Sequence, residues 1–352
     1  MEAAEMTSSE RERLDLGSCE ALESVLKTLS FRSISLNEAT LQENGAAASL
    51  LEMIMFYDSA VRLDLSGVGG MEPSAWRSLA LLLKQSPRLS HLDLTDVSLV
   101  HGPVHGPVQV LSRVLPSSRI SELHLDGTGL SGRPLFTLVG ALRTNRSLRR
   151  LHLNNNRLNS YQDALQLGDL LRFNSTLETL QLRDNLLEDD GLEELCDGLL
   201  RQKEEGLKIL LLNNNHITER GMEPLARVLP VLKVLQVLDL GQNLLGNEGV
   251  LVIRQPLMVN SSLLQLGLKR TNISCEGAVA LAEVLAETRT LQVLDLRQNR
   301  VKVGGLMALS LALGINRSLV SLELDLKLDL DRDLESSNED LLPQFCTTHV
   351  CG

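Results

Sequence analysis

The chain has 352 residues, of which 43% are hydrophobic but only 2% aromatic, and its formal net charge is −11. This charge argues against a nucleic-acid-binding protein, which needs a basic face. The chain contains no apolar run of the length needed to cross a bilayer, and its start has no apolar signal segment. Its five scattered cysteines do not suggest a disulfide framework. We therefore expect a cytoplasmic or nuclear protein with neither a nucleic-acid nor a membrane partner.

The N-terminal stretch divides into a polar part and the start of a periodic part. Residues 1–12 read MEAAEMTSSERE, and we expect them to be a flexible N-terminus. Residues 13–325 are predicted to form one repeat domain, which opens with a helix. Leu22, Val25, Leu26 and Leu29 are spaced so that they share the apolar face of this first helix.

A leucine pattern then recurs along almost the whole chain. Its core is L-x-L, and the best copies read L-x-x-L-x-L-x-x-N-x-L, after a looser first copy at Ile34. Successive cores are 29, 29, 31, 28, 29, 30, 28, 28, 28 and 28 residues apart. Such a regular period identifies a leucine-rich-repeat array of about eleven repeats. The first leucines of the cores after Ile34 are Leu63, Leu92, Leu123, Leu151, Leu180, Leu210, Leu238, Leu266, Leu294 and Leu322.

Each repeat reads as strand, turn and helix. Leu210 and Leu212 alternate as in a strand, whereas Gly221, Leu225 and Leu229 have helical spacing. Parallel strands stack about 4.8 Å apart, but packed helices need about 8 to 10 Å, so the stack must bend with its strands inside. We therefore predict an α/β fold, a leucine-rich-repeat solenoid shaped as a ribonuclease-inhibitor-like horseshoe. Its parallel strands form the concave face and its helices the convex face.

Two sets of asparagines recur at fixed places in the repeat. The first set follows the second leucine by three residues, where its amides can bond turn backbone groups that would otherwise lack partners. Thr128 and Thr271 occupy the same slot as smaller polar substitutes. The second set lies in Asn-x-Ser/Thr sequences before the next strand, and we interpret it as left-handed helix caps rather than glycosylation acceptors. The first set is Asn156, Asn185, Asn215, Asn243 and Asn299, and the second is Asn145, Asn174, Asn260 and Asn316.

Two segments depart from the repeat. The duplication HGPVHGPV at 101–108 cannot continue a helix and is predicted to be an enlarged loop. Residues 326–352 are predicted to be an acidic, disordered tail, which is either simply solvated or a contact for a basic partner. Cys346, His349 and Cys351 in this tail lack a fourth ligand. We therefore expect no metal site and no cofactor.

The function is expected to lie on a surface, because the chain carries no phosphate-binding, zinc-protease or serine-hydrolase motif and does not look like an enzyme. The concave face offers one row of side chains per repeat. It has no aromatic anchors, so a partner would contact polar and charged groups there, unless the face is an ordinary solvated sheet and the contact lies elsewhere. The predicted partner-binding residues are Arg150, His152, Arg183, Lys208, Leu211, Asp239, Lys269, Arg270, Asp295 and Arg297.

Several short sequence segments contain residues that the repeat pattern does not require, and these segments are similar to those of a known family. They are CEALE at 19–23, LSGRPL at 130–135, LQLGDLLRFN at 165–174, GNEGV at 246–250, CEGAVALAE at 275–283 and GGLMALSLAL at 304–313. Through these segments the chain resembles the protein phosphatase 1 regulatory subunit 37 family, and the resemblance extends over about residues 13–325.

The resemblance implies a noncatalytic subunit that binds the protein phosphatase 1 catalytic subunit and inhibits the phosphatase activity of its complexes. In that family a Lys/Arg-Val-x-Phe segment upstream of the repeats adds to the phosphatase as a strand. Its nearest approximation here is Lys27–Phe31, which we interpret as core packing at the end of the first helix. We expect a monomer before binding. The alternatives are a generic leucine-rich-repeat adaptor and a GTPase activator of the Ran type.

Overall fold

The computed structural model describes residues 4–7, 13–41, 45–100, 106–159, 161–202 and 206–325. The predicted tail at 326–352, with Cys346, His349 and Cys351, lies outside the described residues, as does the first part of the HGPVHGPV loop. The chain forms two compact units, Met1–Asn185 and Leu186–Gly352. Among the helices described, none is both long and apolar enough to cross a membrane.

Strands and helices alternate along most of the first unit. The elements are β1 (Ala4–Thr7), β2 (Arg13–Leu14), α1 (Leu16–Ala21), α2 (Glu23–Thr28), β3 (Phe31–Ser35), β4 (Thr40–Leu41), α3 (Ala46–Tyr57), β5 (Ala60–Asp64), α4 (Pro73–Gln85), β6 (His91–Asp93), α5 (Pro107–Val114), β7 (Glu122–His124), α6 (Arg133–Leu142), β8 (Arg150–His152), α7 (Gln162–Phe173) and β9 (Thr179–Gln181). The parallel sheet has the order β1-β3-β5-β6-β7-β8-β9, and β2 pairs separately with β4. A short 3-10 helix, Leu115–Ser117, follows α5.

The second unit repeats the same strand and helix order. Its strands are parallel neighbours in chain order, and a short 3-10 helix, Glu219–Gly221, precedes α9. The elements are α8 (Glu188–Leu200), β10 (Ile209–Leu211), α9 (Met222–Val228), β11 (Val237–Asp239), α10 (Gly246–Val259), β12 (Gln265–Gly267), α11 (Cys275–Glu287), β13 (Val293–Asp295), α12 (Val303–Ile315) and β14 (Ser321–Glu323).

The leucine cores fix the register of the long parallel sheet within each unit. Each of the eleven predicted cores lies on a strand, and within each unit the first core residues stand opposite one another, for example Leu123 opposite Leu151 and Leu238 opposite Leu266. These four leucines are at most 1% exposed. The leucine side of each strand therefore faces the hydrophobic core of its unit. The predicted α/β solenoid of leucine-rich repeats is confirmed.

The turn asparagines bond the backbone as predicted. Asn243 donates through Nδ2 to the carbonyls of Leu212 and Leu240, both at 2.9 Å. Its Oδ1 accepts the N–H of Asn215 at 2.9 Å and of Ile217 at 3.1 Å. One side chain therefore joins two successive turns. The same pattern of donation and acceptance holds at Asn156, Asn185, Asn215 and Asn299.

The left-handed conformation predicted for the second asparagine set is wrong. Asn174, Asn260 and Asn316 do end helices, but their backbones are extended, with φ −67 and ψ 135 at Asn260. Asn145 lies two residues beyond Arg143, which caps α6. Residues 261–264 connect Asn260 to β12, and the Asn260 side chain bonds the backbone on both sides of this connection. Nδ2 of Asn260 donates to the Leu229 carbonyl at 2.6 Å, and its Oδ1 accepts the Leu263 N–H at 2.8 Å.

The N-terminal region differs from the sequence prediction in two ways. Ala4–Thr7, within the stretch expected to be flexible, forms β1 and pairs in parallel with β3. Its backbone pairs with the outer side of β3, so the four-residue β1 is the edge strand of the sheet. The first helix is split at Leu22 into α1 and α2, and Leu29 is 49% exposed rather than on the buried face with Leu26. The chain is already extended at Leu29, so Phe31 takes the buried position instead.

Candidate functional site on the open face

The open face of each unit is the side of the sheet that carries the residues between paired core leucines. Because alternate side chains of a strand point to opposite sides, these residues face away from the leucine core. In the first unit they stand in register as one row, and in the second unit as another. The first row is Asp64, Asp93, His124, His152 and Gln181, and the second is Leu211, Asp239, Gly267, Asp295 and Glu323.

A polar cluster on the open face of the first unit is centred on Glu122. This glutamate begins β7, and its Oε1 lies 2.8 Å from His124 Nε2. Its Oε2 lies 2.9 Å from Arg150 Nε and 3.1 Å from His91 Nε2. The Glu122 side chain is only 11% exposed, so three neighbouring strands direct basic groups at one nearly buried carboxylate.

Two histidines stack beside this carboxylate. The rings of His124 and His152 have centroids 3.8 Å apart and planes inclined by 24°. His124 Nδ1 lies 3.5 Å from Asp93 Oδ2, and His152 Nε2 lies 3.4 Å from Gln181 Nε2. Neighbours on both sides of the row therefore restrict the orientation of the two rings.

Burial and neighbouring charges shift the pKa values of three residues in the cluster. Burial, together with the adjacent His124, lowers the pKa of His152 to about 4. Burial would raise the pKa of Glu122, but the hydrogen bond with His124 and the charge of Arg150 hold that pKa below its usual range. Burial and the charge of Arg62 lower the pKa of His91. At neutral pH the site therefore combines a carboxylate with a neutral His152.

Three of these side chains form a set of metal-ligand type. One ligand atom from each of Glu122, His124 and His152 lies within 4.8 Å of the others. No metal site was predicted from the sequence, in which these donors lie in two different repeats. His124 and His152 are 28 residues apart and meet only because β7 and β8 pair in this register. The signal was the recurrence of histidine at the same repeat position, with glutamate two residues before the first.

The structure brings two of the three predicted site residues of the first unit into this cluster. Arg150 pairs with Glu122 although its side chain is 51% exposed, and His152 is half-buried. Arg183 follows β9 and is half-buried, and its backbone N–H donates to Asn154 Oδ1 at 2.8 Å. Glu122 and His91, which the sequence analysis did not select, hold the centre of the cluster.

The predicted acidic sites of the second unit are engaged by the chain itself. Asp295 accepts hydrogen bonds from the backbone and the guanidinium of Arg297, whose Nη2 also lies 2.7 Å from Glu323 Oε2. Asp239 accepts the Gly241 N–H at 3.0 Å. Both aspartates therefore stabilise the turn that follows their strand.

The remaining predicted sites of the second unit differ in accessibility. Leu211 is 8% exposed, so its predicted role as an apolar contact on the surface is wrong, because neighbouring side chains cover it. Lys208 and Lys269 are half-buried, and Arg270 is exposed. Within the part of the chain that the structure describes, neither Lys269 nor Arg270 forms an ion pair.

The segment Lys27–Phe31 is partly built into the fold. Phe31 is 4% exposed, and its N–H donates to the Ser59 carbonyl at 2.7 Å. Lys27 to Ser30 are exposed. The interpretation of the segment as core packing therefore holds for Phe31 but is wrong for Leu29, which is 49% exposed.

Comparisons with known proteins agree with this architecture. A family model described as Leucine Rich repeat matches residues 173–196 and 288–310. Protein phosphatase 1 regulatory subunit 37 from Bos taurus is 44% identical over 219 residues, which are 62% of this chain and 31% of that protein. The homolog from Caenorhabditis elegans is 35% identical over 228 residues, 64% of this chain and 24% of that protein.

More distant similarities concern the fold. Ribonuclease inhibitor from Mus musculus is 30% identical over 226 residues, 56% of this chain and 48% of that protein. A chain in the crystal structure of the Rad7 and Elc1 complex in yeast matches with a TM-score of 0.52 at 17% identity, covering 90% of this chain and 85% of that one.

The match with the bovine regulatory subunit spans about a third of that protein's length. It covers 62% of this chain, and the resemblance expected from the sequence is confirmed. The described residues fold as leucine-rich repeats, and the chain is similar in sequence to protein phosphatase 1 regulatory subunit 37 and, more distantly, to ribonuclease inhibitor.

Proposed function

We propose that the chain is a noncatalytic regulatory subunit that binds the protein phosphatase 1 catalytic subunit and inhibits the phosphatase activity of its complexes. The observation that carries the proposal is the 44% identity over 219 residues to a protein named as a regulatory subunit of that phosphatase. The worm homolog bears the same name, so the similarity extends across distant animals. We also propose that the chain is cytoplasmic or nuclear and a monomer before binding, which light scattering and imaging can test.

The open face is the surface that we assign to the proposed contact. Phe31 is buried, so Lys27–Phe31 cannot add to a partner as an extended segment unless it first leaves the sheet. Lys269 and Arg270 instead present adjacent cations that form no ion pair among the described residues. Charges of this kind steer association and fix the register of a partner more than they add affinity.

Binding and inhibition can be tested with matched charge variants. The full chain is titrated into the phosphatase catalytic subunit, and binding and dephosphorylation of a phosphoprotein are both measured. Lys269→Glu with Arg270→Glu reverses two charges in the turn after β12, two and three residues beyond Gly267 of the second row. Lys233→Glu with Arg289→Glu makes the same charge change at exposed residues that precede strands, away from the two rows.

We expect the unaltered chain to bind and inhibit. The open-face variant should weaken binding by about 10-fold or more, and the control should stay within about 2-fold. Equal loss in both double variants would contradict the assignment to the open face. Absence of binding at micromolar concentrations would contradict the proposed function itself.

A further inference from the structure

The donors of Glu122, His124 and His152 are close enough to share one ion. Glu122 Oε1 and His124 Nε2 are 2.8 Å apart, and one nitrogen of His152 completes a set within 4.8 Å. In a tetrahedral zinc site with bonds of about 2.0 to 2.1 Å, ligand atoms lie about 3.3 Å from one another. The first pair would open by about 0.5 Å and His152 would move inward by at most about 1.5 Å. The two stacked rings would also have to tilt toward the ion, because their planes are inclined by only 24°.

The backbone fixes these donors in place. Glu122 and His124 are two residues apart on β7, so they project from the same side of the strand. His152 is the direct register partner of His124 on β8. Donors carried by strands are held more rigidly than donors on loops, which reduces the cost of assembling a metal site.

The two oxygens of the Glu122 carboxylate have different partners. Oε2 of Glu122 faces Arg150 and His91, which leaves Oε1 for an ion. Arg150 can therefore stay paired with Oε2 while Oε1 binds. In this arrangement the ion takes the place of the hydrogen that joins Oε1 to His124 Nε2, and the single proton of the neutral ring is carried instead by Nδ1, which faces Asp93.

Asp93 is positioned as an outer partner of His124. Its Oδ2 lies 3.5 Å from Nδ1, the ring nitrogen opposite the one that faces Glu122. Metal-binding histidines commonly direct their second ring nitrogen at a carboxylate, which sets the ring orientation and makes the ligating nitrogen more basic.

We propose that Glu122, His124 and His152 form a binding site for a divalent transition-metal ion, with Zn²⁺ as the expected occupant. Two imidazoles and a carboxylate are donors that suit zinc. Three protein ligands leave a fourth position for water or for a donor from a bound partner. The His124 side chain is 26% exposed, so solvent reaches the site from the open face. This inference does not depend on phosphatase binding.

The test uses the full chain, stripped of metal with a chelator, and Zn²⁺ alone as the probe. Isothermal titration calorimetry gives affinity and stoichiometry, and zinc-edge X-ray absorption of the loaded protein identifies the ligand atoms. His124→Phe keeps a stacked ring without a donor, Glu122→Gln keeps the side-chain shape without the charge, and His152→Ala removes the third ligand. His216→Asn is the control, because His216 is exposed, lies outside the cluster and has a positive φ that asparagine tolerates.

We expect one high-affinity zinc with nitrogen and oxygen neighbours. Each of the three site variants should weaken binding by about 10-fold or more, whereas His216→Asn should leave it within about 2-fold. Circular dichroism of the metal-free variants checks that each is folded. Zinc binding that the site variants leave unchanged would overturn the proposal, as would sulfur neighbours in the absorption spectrum. It would also be overturned if no zinc bound when the zinc concentration reached about 100-fold that of the protein.

Discussion

Replacing Asn243 with alanine should destabilise the second unit, because this side chain joins two successive turns. Asn243 is 1% exposed. Its amide donates to the carbonyls of Leu212 and Leu240 and accepts the N–H groups of Asn215 and Ile217, at distances of 2.9 to 3.1 Å. Alanine would leave these backbone groups without the partner that the turn provides.

The size of the effect follows from the four hydrogen bonds. At about 1 kcal/mol net for each bond, their loss amounts to about 4 kcal/mol. Backbone groups left unpaired in a buried turn would add to this cost, whereas water that enters the turn would reduce it. We therefore expect the free energy of unfolding to fall by about 3 to 5 kcal/mol.

Urea unfolding followed by circular dichroism measures this loss, with hydrogen exchange as a local readout. Gln255→Ala is the matched control, since it removes an exposed amide from α10 and should change stability by less than about 0.5 kcal/mol. In Asn243→Ala the amides of Asn215 and Ile217 should exchange faster. A loss below about 1 kcal/mol, with unchanged exchange at these two amides, would refute the structural role of the turn asparagines.

Two further predictions concern Cys196 and Gly127. Burial raises the pKa of the Cys196 thiol to about 12, so peptide mapping after iodoacetamide treatment at pH 8 should show it modified far more slowly than the half-buried Cys275; equal rates would contradict its burial. Gly127 has φ +66, and an added Cβ would overlap the Asp96 carboxylate, so Gly127→Ala should cost about 1 to 3 kcal/mol in thermal unfolding. Gly140→Ala in α6, where a Cβ meets open space, should be stabilising by about 0.5 to 1 kcal/mol, and an equal loss in both would refute the argument.

The regular part of the fold could be predicted because a repeat applies the same constraint many times. The spacing of core leucines locates the strands and also sets their pairing, as the opposition of Leu151 and Leu180 shows. The turn asparagines were predictable for the same reason, since a polar residue at a fixed place beside buried leucines must bond backbone. Asn260 was predicted to cap a helix but not in the observed backbone conformation. Its side chain satisfies the junction, so the backbone does not need a left-handed turn.

The candidate site depends on side-chain contacts between repeats, and these contacts are harder to predict from the sequence than the repeat pattern is. The meeting of His124 with His152 follows from register, but the convergence of His91 and Arg150 on Glu122 depends on side-chain orientation. The burial of Leu211 likewise depends on how neighbouring side chains cover it. Each of these features is set by packing across strands rather than by the pattern within one repeat.

We propose that this chain is a regulatory subunit of protein phosphatase 1, and the most direct test of this role is its equilibrium affinity for the purified catalytic subunit. The titration is performed with and without an excess of a competing docking peptide of the Val-x-Phe type. Because Phe31 is buried, the account predicts binding that survives the peptide and therefore uses the repeats. Binding abolished by the peptide would contradict the open-face contact, and no binding at micromolar concentrations would contradict the regulatory role.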